Sequence, residues 1–411
     1  MIQDDRTILH CDMNGFYASV ELLDYPQYKN IPMAVCGDPT NRHGIILAKN
    51  EVAKKYNIVT AETLWSARKK CPDLVCVRPH REKYKKYSKL INQIYLRYTD
   101  MVEPFSIDES WLDVTASLNL FGDGKTIADD IRKTVKKELG LTLSAGVSFN
   151  KIFAKMGSDY KKPDATTVIT RDNYKNILWP LDIGKLFFVG SASANKLQKA
   201  GINTIGDLAV SDKKLVTAIL GKQGAMIHDY ANGLDNEPVC LFNQREKIKS
   251  VGNGVTFKRN LKSEEDIKIA VVGLSDKVAS RLRKYQMKAY GVKVDIKNPD
   301  FKVISRQKQL FVATNISEEI FKTAMDLIHA NWPENNPIRL LTITAINLTD
   351  EDEAEQLSMF SQFNADSRDK NQSMEKAIDQ IRSKFGDSAI TFGRVINNDI
   401  GIDLDMHIEE D

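Results

Sequence analysis

Cysteine is scarce in this chain of 411 residues: Cys11, Cys36, Cys71, Cys76 and Cys240 are the whole set, with no CxxC pair among them. An odd, scattered set excludes a disulfide framework and a zinc ribbon and fits a reducing compartment, so a cytoplasmic location is expected. Proline and glycine are also few, 12 and 22, beside 42% hydrophobic and 27% charged residues. That balance excludes collagenous, elastic and disordered chains. No uncharged run reaches the 18 or so apolar residues that a membrane span needs. The acidic start, Met1 to Arg6, leads straight into a strand and lacks the basic and apolar regions of a signal peptide. What remains is a soluble globular chain of about two to four domains.

A charge excess of one sign is lacking as well, since the formal net is only +3. The distribution is uneven, however. Residues 241–350 hold 19 Lys and Arg against 12 Asp and Glu, whereas residues 351–411 hold 6 against 15. A basic body with an acidic tail points to an anionic partner for the body.

Strands and helices alternate through the first 170 residues, as in an α/β or α+β domain. Thr7 to Met13 reads as a strand ending near Asp12, and residues 32–36 and 44–48 read as a hairpin. Spacings of three and four at Tyr87, Leu90, Ile91, Ile94, Tyr95 and Tyr98 mark a helix with one buried face. Residues 174–238 are short helices broken by glycine, and Asp235 to Lys249 is the linker candidate. Beyond it the order strand, helix, strand, strand, helix, strand is a split βαβ module.

Asp12 closes the first strand, and Asp108-Glu109 interrupts an apolar stretch between Phe105 and Trp111. Carboxylates in apolar runs are costly unless a cation compensates them. Three of them on adjacent strands could hold two Mg2+ ions, which prefer oxygen ligands and substrate phosphates and clamp the oxygens of phosphoryl transfer. The plainer reading is hairpin or edge-strand acids facing water.

Three ordered motifs then match one family. Leu9-His10-Cys11-Asp12-Met13-Asn14-Gly15-Phe16-Tyr17-Ala18-Ser19-Val20-Glu21 resembles the opening motif of Y-family DNA polymerases. Ser106-Ile107-Asp108-Glu109-Ser110-Trp111-Leu112-Asp113 resembles their second motif, and Ser144 to Val147 through Lys151, Ala154-Lys155, Ser158-Asp159 and Lys162-Pro163 their third. The likeness runs from about residue 7 to 395 and is nearest the bacterial DNA polymerase IV branch.

The resemblance implies an α+β multidomain, right-hand polymerase. Its palm would be residues 1–30 and 75–170, its fingers 31–74 and its helical thumb 171–238. A linker at 239–248, a βαββαβ little finger at 249–350 and an acidic tail at 351–411 would follow. Asp12, Asp108 and Glu109 would be the catalytic carboxylates, ligating two Mg2+ ions (Mn2+ as an alternative) with the Met13 carbonyl. Tyr17 stands at the steric gate under the sugar, and Lys162 at a triphosphate-contacting position. The plainer reading of Tyr17 is a core aromatic, and of Lys162 a solvated charge. Where many relatives have Tyr and Arg on the first fingers helix, this chain has Glu51 and Lys54. Lys54 supplies a point charge without the fork of Arg, and Glu51 would repel phosphate.

Val189-Gly190-Ser191 to Leu197 and Ala200-Gly201-Ile202 resemble a helix-hairpin-helix, whose backbone N–H groups hold a DNA phosphate without reading sequence. Phe188 stands where its first turn glycine is usual. In the βαββαβ module Lys302, Arg306 and Lys308 share one strand face and Lys293 and Lys297 another, as basic edges or as a DNA-tracking surface. Gln356-Leu357-Ser358-Met359-Phe360 resembles the sliding-clamp-binding pentapeptide of bacterial polymerases. The implied function is translesion DNA synthesis of low fidelity, without a proofreading exonuclease. Its partners would be primer-template DNA, dNTPs and the β sliding clamp, with no membrane and a monomeric chain. The rivals are another two-metal enzyme on a similar palm, such as a nucleotidyl cyclase or nuclease, and a non-catalytic DNA- or clamp-binding factor.

Overall fold

The computed structural model describes residues 6–37, 44–244, 247–334, 336–353 and 365–402, in two compact units that part at residues 245 and 246. The first unit opens with β1 (Ile8–Met13) and α1 (Phe16–Asp24). Strands β2 (Met33–Cys36) and β3 (Ile46–Lys49), helices α2 (Glu51–Lys54) and α3 (Leu64–Lys70) and strand β4 (Val75–Val77) follow. These three strands make a small sheet in the order β3-β2-β4. Next come α4 (Arg81–Tyr95), β5 (Val102–Pro104), β6 (Glu109–Asp113), α5 (Leu118–Phe121), α6 (Gly124–Leu139), β7 (Leu143–Ser148), α7 (Lys151–Tyr160) and β8 (Thr166–Val168). A five-stranded sheet in the order β5-β6-β1-β7-β8 places β1 at its centre.

Every residue of β1 is buried, so both faces of that strand are covered. Leu9, Cys11 and Met13 enter a core with Tyr84, Ile91 and Ile94 of α4 and Ile127 and Ile131 of α6. Side chains alternate along a strand, so His10 and Asp12 share the opposite face with Ile8, which packs with Ala154 of α7. Helix α7 lies flush on that face because β7 carries Gly146 there: a Cβ would sit 1.9 Å from the Ala154 carbonyl oxygen. Asn150 caps the helix, its Oδ1 accepting from the Phe153 amide at 2.8 Å.

Helices α8 (Tyr174–Leu178), α9 (Ser191–Lys199), α10 (Ile205–Val210), α11 (Lys213–Leu220) and α12 (Lys222–Ala231) close the unit around Leu178, Leu197, Leu208, Val216 and Ile227. The expected linker begins later than its composition indicated. Val239 is buried with Ile8 and Trp111, and the Cys240 amide donates to Glu103 Oε2 at 2.9 Å. An apolar side chain and a paired amide hold 239–242 on the first unit.

The second unit is the expected βαββαβ module: β9 (Ser250–Leu261), α13 (Glu264–Lys284), β10 (Met287–Lys297), β11 (Val303–Thr314), α14 (Ser317–Asn331) and β12 (Ile338–Asp350). Its antiparallel sheet runs β11-β10-β12-β9. One face packs Val292, Val294 and Ile343 against Leu274 and Val278 of α13 and Ile320 of α14. Residues 365–402, which composition sets apart as part of an acidic tail, belong to this unit. Helix α15 (Ala365–Phe385) places Glu375 and Asp379 on the buried Arg283, and Val395, Ile400 and Ile402 join the module's core.

Candidate active site

The register of the five-stranded sheet sets Asp12 of β1 directly opposite Glu109 of β6 and Ser144 of β7. Opposed residues on antiparallel strands share a face, so both carboxylates lie on the α7 side. Asp108 immediately precedes β6, and its carbonyl accepts from the Met13 amide at 3.1 Å, tying the two strand ends together. Asp12 is only 5% exposed.

Lysines from the third sequence motif reach into this cluster. Lys155 Nζ donates to Asp12 Oδ2 at 3.1 Å and Glu109 Oε1 at 3.0 Å, and lies 3.3 Å from Asp159. Lys162 Nζ bridges Asp12 and Asp159, 2.8 Å from each. His10 sits beneath Glu109 at 3.6 Å, its Nδ1 paired with Ser158 Oγ at 2.8 Å and its ring edge-on to Trp111. Burial lowers the His10 pKa.

The carboxylates are pushed in different directions. Burial raises the pKa of Asp12 although Lys155 and Lys162 pull it down. Burial also lifts Asp108 to about 6, with the Asp12 and Glu109 charges adding to it against the Ser106 hydrogen bond. Partial burial costs Glu109 too, yet His10 and Lys155 outweigh that cost and hold it at about 2. A buried ammonium is disfavoured by desolvation, but Asp12, Asp159 and Glu109 raise Lys155 above its ordinary value.

By chemistry this donor set fits hard divalent cations, since it is oxygen throughout and carries more negative than positive charge. Its present arrangement is not chelating. Among the described residues no three His, Cys, Asp or Glu side chains stand close enough to hold a metal. Lys155 occupies the space between Asp12 and Glu109, and Asp108 Oδ1 accepts from Ser106 Oγ at 2.8 Å.

Tyr17 projects from α1, partly buried, and stacks on Tyr84 of α4 with centroids 4.1 Å apart. The Tyr84 hydroxyl donates to Glu21, a carboxylate with no exposed surface that also contacts His80 Nδ1 at 3.0 Å. Phe16 is a core residue, as expected. Lys54 is paired with Glu51 at 2.5 Å, so Glu51 acts on the lysine of its own helix.

In the helical cluster, a Cβ on Gly190 or on Gly201 would meet nothing within 4 Å, leaving both backbones open to a ligand. Gly201 has φ 84°, and Phe188 has φ 69°, the left-handed conformation that a turn glycine would take. Phe188 thus carries the backbone strain that a glycine at this turn would avoid. In the module, Lys308 pairs with Val292 and Arg306 with Val294 across β10, so both lie on the helix side. Lys308 reaches Asp326 and Arg306 reaches Asn331 of α14, each at 3.0 Å. Lys302 precedes β11 and its amide donates to Asn298. Lys293 and Lys297 oppose Gln307 and Val303 on the other face of the sheet. Gln356, Leu357, Met359 and Phe360 fall outside the described residues.

Spacing marked Asp12, Asp108 and Glu109 as candidates, but Lys155, His10 and the Tyr84–Glu21 pair had no assigned part. A signal existed for Glu21 and Lys155: each is a charge set among apolar neighbours, Val20 to Leu23 and Ile152 to Met156.

Comparison with known proteins bears on these findings. The fold matches a solved Y-family DNA polymerase chimera of Dbh and Dpo4 at TM-score 0.75, over 84% of this chain and 99% of that one, at 24% identity. Profiles of the impB/mucB/samB family and of its C-terminal domain match residues 11–159 and 248–359. The fold is thus that of a Y-family polymerase. DNA polymerase IV of Acetivibrio thermocellus is 43% identical over 96% of this chain and 98% of its own length, and that of Clostridium kluyveri 38% over 95% and 98%. The chain belongs to the DNA polymerase IV family.

Proposed function

We propose that the chain extends primer strands on a DNA template by joining deoxynucleotides to the 3′-hydroxyl, tolerating damaged template, with low fidelity and without proofreading. The five-stranded sheet is assigned as palm, the β3-β2-β4 sheet with α2 and α3 as fingers, α8 to α12 as thumb and the second unit as little finger. The observation that carries this reading is the register pairing Asp12 with Glu109 beside Asp108, in a chain of this family.

Two divalent cations, Mg2+ by preference, held by Asp12, Asp108, Glu109 and the Met13 carbonyl, would stabilise the attacking and leaving oxygens at the α-phosphate. The chain's own residues supply the rest. The Tyr17 ring, fixed by Tyr84, blocks the space a 2′-hydroxyl needs. Lys162 and Asp159 stand at the mouth of the site, where a triphosphate charge draws Lys162 off Asp12. Lys54 is a weaker triphosphate contact because Glu51 neutralises it. The open backbones at Gly190 and Gly201 suit DNA phosphates, and Lys293 and Lys297 track the strand from the opposite sheet face, with Lys302, Arg306 and Lys308 at the module's edge. The Gln356–Phe360 segment docks a sliding clamp. No helix among the described residues is long and apolar enough to cross a membrane.

Primer extension with each dNTP supplied singly tests this reading. The templated nucleotide should be added much faster than the other three, and addition at a rate independent of the template base, or no addition, would refute it.

A further inference from the structure

The role of Lys155 goes beyond the polymerase reading and rests on it. An alternating chain of charges runs through the site: Glu109, Lys155, Asp12, Lys162, Asp159. Lys155 is 7% exposed and bridges the buried Asp12 and the half-buried Glu109, yet its ammonium is also 3.3 Å from Asp159, whose side chain is 52% exposed one helical turn on. Two carboxylates facing each other at the end of a buried strand repel unless a cation stands between them. A lysine on a helix pressed onto Gly146 supplies that cation without any metal. We propose that Lys155 is a positioning residue that holds the seat between Asp12 and Glu109 in the metal-free enzyme and yields it toward Asp159 when a divalent cation binds.

The seat is contested, so removing the lysine charge should strengthen cation binding, an effect that a purely structural lysine would not give. The test is a titration of the DNA-free, full-length protein with Mn2+, reading free Mn2+ by electron paramagnetic resonance. Lys155→Met should bind Mn2+ on the order of tenfold more tightly than the unmodified chain. Lys155→Arg, which keeps the charge, should bind no more tightly than the unmodified chain. Lys161→Met, which removes an exposed charge outside the cluster, should leave affinity unchanged. Equal or weaker binding by Lys155→Met overturns the proposal, as does equal tightening by Lys161→Met. If Lys155→Met lacks native circular dichroism, Asp159→Asn decides. With the outer seat gone it should bind Mn2+ severalfold more weakly, and unchanged affinity overturns the proposal. An Asp12→Asn, Glu109→Gln chain that binds Mn2+ like the unmodified protein would instead refute the assignment of the carboxylates.

Discussion

Tyr17 owes its position to a carboxylate that α1 buries. Glu21 accepts the Tyr84 hydroxyl, and the Tyr84 ring in turn lies flat against Tyr17. Burial and the Glu21 hydrogen bond push the Tyr84 pKa well up, so it stays a donor throughout the working range. With Tyr17 as the proposed gate, Tyr17→Ala should open space beside the sugar while leaving the carboxylates in place. Incorporation of ribonucleotides relative to deoxynucleotides, measured by single-nucleotide extension, should rise on the order of tenfold or more, and an unchanged ratio would remove Tyr17 from its place. The sequence spelled out Tyr17 through its motif but not its support, because Glu21 and Tyr84 are 63 residues apart and meet only in the folded core. The partners of Lys155 were hidden for the same reason. Asp12 and Glu109 lie on two strands distant in sequence, and only the close approach at Gly146 brings its helix over them.

Helix α13 shows how an element is pinned at its start. Asp266 completes a capping box with Ser263 and accepts from the Lys262 amide at 2.9 Å and from both nitrogens of the Arg259 fork at 2.8 Å. The Arg259 hydrogen bonds hold its carboxyl well below the usual range. A folded-state pKa below the unfolded one means stability that is fully present above the unfolded value and lost as pH falls through the folded one. Asp266→Ala should therefore cost about 1–3 kcal/mol near pH 7, read by urea unfolding or amide exchange in α13, with the gap closing below about pH 4. A pH-independent gap would show that packing, not the charge, is responsible. This helix and its neighbours were legible in the sequence as the order strand, helix, strand, strand, helix, strand. The faces of β11 were not, since Arg306 and Lys308 read as one basic stripe whether they point to DNA or to α14.

Across the whole molecule, the division into a basic body and an acidic tail gives way to pairing. Glu375 and Asp379 neutralise Arg283, Asp399 lies 2.7 Å from Arg259, and Arg382 returns the favour to Asp276 at 2.9 Å. Ile402 sits so close to Gly273 that a Cβ there would be 2.5 Å from it. Acid residues that composition counts as a separate tail are thus partly spent inside the second unit, a fact no charge sum can reveal. Ending the chain after residue 364 should strand Arg283 in a buried site, at a cost of roughly 3–5 kcal/mol. Amide exchange in α13 should then accelerate, whereas unchanged exchange would mean that residues 365–402 contribute nothing to the unit.

The central claim is that Asp12, Asp108 and Glu109 together perform templated phosphoryl transfer. Primer extension on a defined template by the intact chain and by Asp108→Ala, at equal DNA occupancy, tests it most directly. Full extension by the former and a loss on the order of a thousandfold by the latter are expected. Equal extension by the two proteins would contradict it.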